Sequence, residues 1–259
     1  MTGLLFSLFL PSALIGLAQG VAPPAIPALA VTHGVQPAYA AQIVTAQLLG
    51  RFVTLVPVGL AADRFGGRMA MIGGSLLLAL AGAFTSVAPA FWVVLGAQLL
   101  SGVSLGLWQV GRELSAIDLV VPHRRGLLLS AFYGVQSVSQ ALGPLLGGVT
   151  VDTLGVRAVF GLQAGAALAV LAVSLVTHAE PSRRRAPARS TLLPRLSDLD
   201  PRYRTTFLIL MLGTFAANLR QSTLSGLLPL LGAGVGLSGT QVGALFGIVA
   251  GVNLAMIGP

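Results

Sequence analysis

The residues of this sequence that could carry chemistry are few, and most of the charged ones are arginines. All 15 basic residues are arginines, there is no cysteine, and His33, His123 and His178 lack the spacing of metal ligands. Without lysine, both a Schiff base and a P-loop that holds phosphate are excluded. We therefore expect a protein that is not an enzyme and that uses no metal or cofactor. Its polar and charged side chains are then candidates to bind a substrate.

Arg51 is the leading candidate for such binding, because it lies inside an apolar stretch, where a charge is costly and functional by default. Polar residues at three-and-four spacing form similar stripes on other apolar stretches. The alternative is that Arg51 reaches the membrane surface or pairs structurally, and that the stripes join helix to helix. The candidate substrate cavity comprises Gln47, Arg51, Gln98, Gln109, Arg112, Gln136, Gln140, Asn218 and Gln221.

The elements that must position these residues are apolar helices. The 259 residues are 55% hydrophobic and 8% charged, with a mean hydropathy of +0.88, whereas soluble domains carry about 25% charged residues. Because roughly 20 apolar residues cross a bilayer, we predict an all-α protein embedded in membrane lipid. Its eight predicted spans are 4–31, 38–62, 69–88, 91–119, 127–149, 158–177, 206–231 and 240–259. The net charge of +8 then belongs to the loops, and no nucleic-acid partner is expected.

Arginines in the loops determine the predicted orientation. The loops after the second, fourth and sixth spans hold nearly all of them, and the opposite side receives only Arg157. By the positive-inside rule, the N-terminus is then cytoplasmic. Residues 178–204 are rich in Arg, Pro and Ser and lack an apolar period, which indicates a linker. The predicted organisation is a six-helix bundle at 1–177, a cytoplasmic linker at 178–204, and two further helices at 205–259.

The loop between the second and third spans reads GLAADRFGGR and fits the pattern G-x-x-x-D-x-x-G-x-[RK]. In this loop, and in having six helices before a basic linker, the chain resembles the major facilitator superfamily. The glycines permit a tight turn and a close approach of helices. The resemblance implies that Asp63, Arg68 and Asp118 form a breakable cytoplasmic latch, rather than a merely solvated turn. The predicted gating loop comprises Gly59, Asp63, Arg64, Gly66, Arg68 and Asp118.

The fifth predicted span carries a GPxxGG motif, formed by Gly143, Pro144, Gly147 and Gly148. In the superfamily this motif is associated with antiporters, and glycine with proline softens and kinks a helix, as a rocking bundle requires. The alternative is that these residues only permit tight packing. A third family pattern is absent, since Gln98 stands where the fourth span usually has an arginine. The resemblance therefore supplies no proton coupling at that position.

The resemblance implies a fold of two six-helix halves with the substrate between them near the midplane. The sequence offers one complete half and two helices of the other, so we interpret it as a partial chain. Glu113 and Asp118 are interpreted as too near the cytoplasmic side to serve as central proton carriers. An acid that carries protons is therefore expected beyond this chain.

The function implied is secondary transport of the drug or metabolite efflux type. At full length the protein is expected to be a monomer in the bacterial inner membrane that exports a small organic molecule by proton antiport, with a rocker-switch mechanism. Two alternatives stay open: an importer that holds an anionic metabolite with Arg51 and Arg112, and an inactive truncated fragment.

Overall fold

A computed structural model describes residues 9–36, 39–119, 125–176 and 200–256. The side chains of 55–65, 117–119 and 125, and most of those in 214–225 and 250–256, lie outside the described part. The described residues form α-helices and no strand, which confirms the all-α prediction. The helices are α1 (Leu10–Gly20), α2 (Ile26–Thr32), α3 (Ala40–Phe65), α4 (Gly67–Val87), α5 (Phe91–Leu119), α6 (Arg125–Leu154), α7 (Val156–Val176), α8 (Pro201–Gly234) and α9 (Gly239–Met256).

The first predicted span is broken into two helices. A short 3-10 turn, Pro23–Ala25, separates α1 from α2. Proline has no backbone N–H, and its ring clashes with the carbonyl four residues earlier, so Pro23, Pro24 and Pro27 together interrupt the helix. The described part of the first predicted span is thus one apolar segment, Leu10–Thr32, whose α-helix is interrupted by this turn. Each later span corresponds to a single helix, from α3 for the second span to α9 for the eighth.

Four segments of the described chain are long and apolar enough to cross a membrane. They are Leu10–Thr32, Gly67–Val87, Phe91–Ala116 and Val156–Val176, and α9 adds a shorter apolar segment, Gly239–Val249. Helix α6 does not meet the same criterion although it has 30 residues. Its sequence includes Tyr133, Gln136 and Gln140, and in a membrane such polar side chains must face protein or water.

The helices pack in pairs that meet around α7. Helix α5 packs against α3 and α4, α1 packs against α6, and α7 contacts both α4 and α1. One apolar core surrounds Leu29, Ile43 and Phe160. A second core surrounds Trp108 and Phe132. Because α9 packs against α6, the start of the second predicted half is seated on the first.

Glycines allow the closest approach between α3 and α5. A Cβ atom on Gly102 would overlap the carbonyl oxygen of Gln47, and one on Gly50 would overlap that of Leu99. Small residues at such contacts let helix backbones approach closely in a bilayer. The polar side chains of α3 and α5 are thereby brought within hydrogen-bonding reach of one another.

Candidate functional site

A hydrogen-bonded cluster joins α3, α5 and α6. The Arg51 Nη2 group donates to Gln109 Oε1 at 2.5 Å. The Gln109 Nε2 group donates in turn to Glu113 Oε1 at 3.2 Å and approaches Tyr133 Oη at 3.4 Å. The Tyr133 hydroxyl donates to the same Glu113 oxygen. The carboxylate of Glu113 is therefore linked directly to α6 and, through Gln109, to α3.

Arg112 lies in the same region and is completely buried, at 0% exposure. Its Nη1 group donates to Gln136 Oε1 on α6. The guanidinium carbon is 5.1 Å from the ring centroid of Trp108 and 4.7 Å from that of Tyr133, within cation–π range of both. Within the described part of the chain, its Nε and Nη2 atoms have no hydrogen-bond partner, and neither has Trp108 Nε1. Buried donors are usually satisfied, so these three groups are candidates to bind an acceptor.

We call these residues the arginine cluster. It comprises Arg51, Trp108, Gln109, Arg112, Glu113, Tyr133 and Gln136. Its formal charge is +1, from two arginines and one carboxylate. The residue types favour binding of carboxylate or phosphate groups, since arginine presents several N–H donors in a fixed plane.

Other predicted cavity residues lie apart from the cluster. Gln98 is buried and donates to Thr85 on α4 at 3.2 Å. Gln47 donates to Ser101 on α5 at 3.3 Å. Both side chains link one helix to another, which corresponds to the alternative stated for the polar stripes. Gln140 is half-buried on α6, and the side chains of Asn218 and Gln221 lie outside the described residues.

Sequence reasoning missed Glu113 and Trp108 as parts of this site. Glu113 follows Gln109 by four positions, the spacing at which two side chains meet on one helix face. That spacing was a usable signal, but the position near the end of the span argued against it. Trp108 gave no polar signal because its ring is part of an apolar core.

The gating loop is described only in part. Gly66 has φ of 84°, a conformation that glycine adopts readily, and it separates α3 from α4. Arg68 donates to the carbonyl oxygens of Ser174 at 3.5 Å and Leu175 at 3.1 Å, in the last turn of α7. A cation is favourable at a helix C-terminus. The described part of the structure does not include the side chains of Asp63, Arg64 and Asp118 or the surroundings of Gly59. The cytoplasmic latch of the gating loop therefore stays a prediction.

The GPxxGG motif lies against two different helices, α1 and α9, through different faces of α6. Cβ atoms on Gly143 and Gly147 would overlap the backbone of Gly20 and Val21, respectively. On the other side, a Cβ on Gly148 would overlap the backbone of α9 at Gly239. The motif thus seats α1 and α9 on α6, in agreement with the packing role given above as the alternative to a hinge.

Apolar helices that carry a charged, hydrogen-bonded cluster are typical of membrane transport proteins. The sequence profile of the Major Facilitator Superfamily matches residues 8–259. The chain belongs to this family, and the resemblance stated from the loop motif is confirmed.

Curated relatives include transporters and exporters. The chain is 30% identical over 125 residues to the MFS-type transporter ppzB of Metarhizium rileyi, with 48% of this chain and 25% of that protein covered. It is 29% identical over 149 residues to the tetracenomycin C resistance and export protein of Streptomyces glaucescens, covering 56% and 27%. It is 29% identical over 143 residues to the multidrug resistance protein MdtL of Escherichia coli, covering 55% and 36%. The matched parts thus span between about a quarter and a third of these relatives.

Solved structures show the same fold. A D-xylose–proton symporter superposes with a TM-score of 0.67 at 16% identity, over 98% of this chain and 66% of that one. A peptide transporter POT in complex with sulfate gives a TM-score of 0.58 at 19% identity, over 86% and 46%. At these identities the likeness defines the architecture: the first six-helix bundle and two helices of the second.

Proposed function

We propose that the protein containing this chain exports a small organic molecule in exchange for protons by a rocker-switch mechanism. The observation that carries the proposal is Glu113, a half-buried carboxylate that accepts hydrogen bonds from Tyr133 and Gln109. The names of two relatives, a tetracenomycin C exporter and a multidrug resistance protein, support export as the direction.

Proton binding at Glu113 would couple to helix movement through its hydrogen bonds. Both donors point at a carboxylate oxygen, and bonds to an ionised acceptor are about twice as strong as neutral ones. A proton on Glu113 therefore weakens the links from α5 to α6 and, through Gln109, to Arg51 on α3. Proton uptake and release would then change how firmly three helices of the first half are held together. This proposed role is an alternative to the interpretation that Glu113 lies too near the cytoplasmic side to carry protons.

A Glu113→Gln substitution in the natural-length protein tests this mechanism. We expect proton-driven transport of ethidium into everted membrane vesicles, which is the direction of export from the cell, to fall by about tenfold or more, equivalent to at least about 1.4 kcal/mol of coupling. Glutamine keeps the shape and the acceptor oxygen but cannot exchange a proton. The matched control is Asp200→Asn, since Asp200 caps the N-terminus of α8 by accepting from the Arg202 N–H at 3.0 Å. Unchanged proton-driven export in the Glu113→Gln protein would refute the proposal.

A second candidate function is import of an anionic metabolite. The specific observation that favours it is the pair Arg51 and Arg112 together with the three unpartnered N–H donors. These groups match the acceptor oxygens of a carboxylate or phosphate.

Arg51→Gln separates the two functions. If the protein is an importer, uptake of radiolabelled succinate into proteoliposomes is expected to fall about tenfold or more, because a charge-assisted bond is replaced by a neutral one. Gln47→Ala is the control, because Gln47 is one turn away and bonds Ser101 instead. Succinate uptake that is absent in the unaltered protein, or equal in both variants, contradicts import.

A further inference from the structure

The N-terminus of α9 is capped by a carboxylate from a different helix. Asp152, in the last turn of α6, accepts the Gly239 N–H on Oδ1 at 3.0 Å. Its other oxygen, Oδ2, accepts the Thr240 N–H at 2.8 Å and the Thr240 hydroxyl at 2.6 Å. One side chain therefore makes three hydrogen bonds across the contact between α6 and α9.

These bonds are additional to a cap that α9 provides for itself. Ser238 Oγ accepts the Gln241 N–H at 3.3 Å, and Gln241 Oε1 accepts the Ser238 N–H at 2.9 Å, the reciprocal arrangement of a capping box. The first free N–H groups of α9 are then all satisfied, two by Asp152 and one by Ser238. Because the helix already has a local cap, Asp152 is not needed merely to start it.

The backbones below Asp152 are in direct contact. A Cβ on Gly243 would overlap the carbonyl oxygen of Pro144, one turn from the contact between Gly148 and Gly239. Gly239 and Gly243 are four residues apart, as are Pro144 and Gly148, so a glycine on one helix lies against the backbone of the other on successive turns. The capping bonds therefore lie at the end of a close interface and cannot be made if α6 and α9 separate there.

Helices α6 and α9 belong to different predicted halves of the fold. Helix α6 is part of the six-helix bundle, and α9 is part of the second bundle. We propose that Asp152 is a latch that holds the two halves together on the face carrying the α6–α7 turn, and that it must release before the halves separate on that face. By the arginine distribution this face is predicted to be extracellular. The Asp152 latch stabilises the arrangement in which the two halves are in contact on this face. This role does not depend on the substrate or the direction of transport.

The charge of Asp152 strengthens the contact. The Thr240 hydroxyl, followed by the backbone N–H groups of Thr240 and Gly239, lowers the pKa of the Asp152 carboxyl below its ordinary value. The contact is thus favoured above the ordinary pKa and lost as pH falls through the lowered pKa. Over the neutral range Asp152 stays ionised, and movement rather than protonation must open the latch.

Other charged groups around the latch are few. Helices α1 and α9 contain no titratable side chain. Arg157, on α7, is the next charged residue along the chain and is not among the causes of the Asp152 pKa shift. The partner of the Asp152 carboxylate is therefore the N-terminus of α9, whose partial positive charge favours an anion.

Distance measurements between spin labels test the latch in the natural-length protein. Leu154 and Val235 are 74% and 76% exposed and lie beside the contact on the two halves, so cysteines introduced there can carry the labels. This chain has no cysteine of its own. In Asp152→Ala we expect the ratio of long to short distances to rise about tenfold, since hydrogen bonds to a charged group are lost. Thr240→Val, which removes only one donor, is expected to shift the ratio in the same direction by a smaller factor.

Two controls distinguish the latch from general loosening. Thr153→Ala changes the adjacent residue, whose hydroxyl bonds the Val149 carbonyl of its own helix. Asp200→Asn alters a carboxylate that caps its own helix, α8. Both should leave the distances unchanged. The latch is refuted if Asp152→Ala and Thr240→Val leave the distance distribution unaltered, or if Thr153→Ala shifts it equally. No transported compound is needed, so failure here is distinguishable from failure of the proposed export.

Discussion

Gly102→Ala is expected to lower the thermal denaturation midpoint of the protein in detergent, whereas Gly96→Ala on the same helix should leave it unchanged or raise it slightly. An added Cβ at Gly102 would overlap the Gln47 carbonyl oxygen and lie 2.8 Å from the backbone nitrogen of Arg51. At Gly96 nothing lies within 4 Å. Overpacking typically costs about 1–3 kcal/mol, while alanine in a helix interior is favoured over glycine by about 0.5–1 kcal/mol. The Gly102 substitution should therefore lower the denaturation midpoint, whereas the Gly96 substitution should not.

The Gly102 substitution should also disturb the arginine cluster. The atoms in its way are backbone atoms, which cannot rotate aside as a side chain would, so α3 must move away from α5. Arg51 is then displaced from Gln109, to which it donates a hydrogen bond. We expect a loss of transport in Gly102→Ala that persists below the denaturation midpoint. Equal midpoints for the Gly96 and Gly102 variants would show that α3 and α5 do not approach as closely as the structure indicates.

Helix positions followed from the sequence because bilayer crossing imposes long apolar runs. The ends were less accurate. Helix α8 begins at Pro201, inside the segment predicted as linker to residue 204. The signal was present, since Asp200 followed by Pro201 is a typical N-cap and first helical residue. Arg202 and Arg204 make the first turn of α8 polar, so the apolar run begins only after the helix has started.

The sequence indicates which face of a helix carries the polar residues of the site, but it does not indicate which neighbouring helices those residues contact. Helical spacing groups Gln98, Gln109 and Arg112 on one face of α5, yet Gln98 bonds α4 while Gln109 bonds α3. A face that extends over several turns meets different neighbours at different heights, and one sequence does not specify those neighbours. The latch at Asp152 was missed for a related reason, since its partners lie 87 and 88 positions away.

Arg112 offers the sharpest separation of stability from function. Truncation to alanine removes a fully buried side chain and leaves a space between Trp108 and Tyr133. Losses of about 2–5 kcal/mol are typical of large-to-small changes in a core. Arg112→Met instead fills most of this space and eliminates the two unpartnered N–H groups. A buried charge carries a desolvation cost that an apolar side chain of similar size does not have.

We therefore expect Arg112→Ala to lower the denaturation midpoint strongly and Arg112→Met to change it little, while both lose whichever transport activity the unaltered protein has, ethidium export or succinate import. Without the guanidinium, the arginine cluster falls from a formal charge of +1 to neutrality, and Gln136 loses its donor. The measurements are thermal unfolding in detergent and vesicle transport on the same preparations. A methionine variant as unstable as the alanine variant would assign Arg112 to structure. One that is stable and fully active would remove Arg112 from the transport site, because the cation would then contribute to neither property.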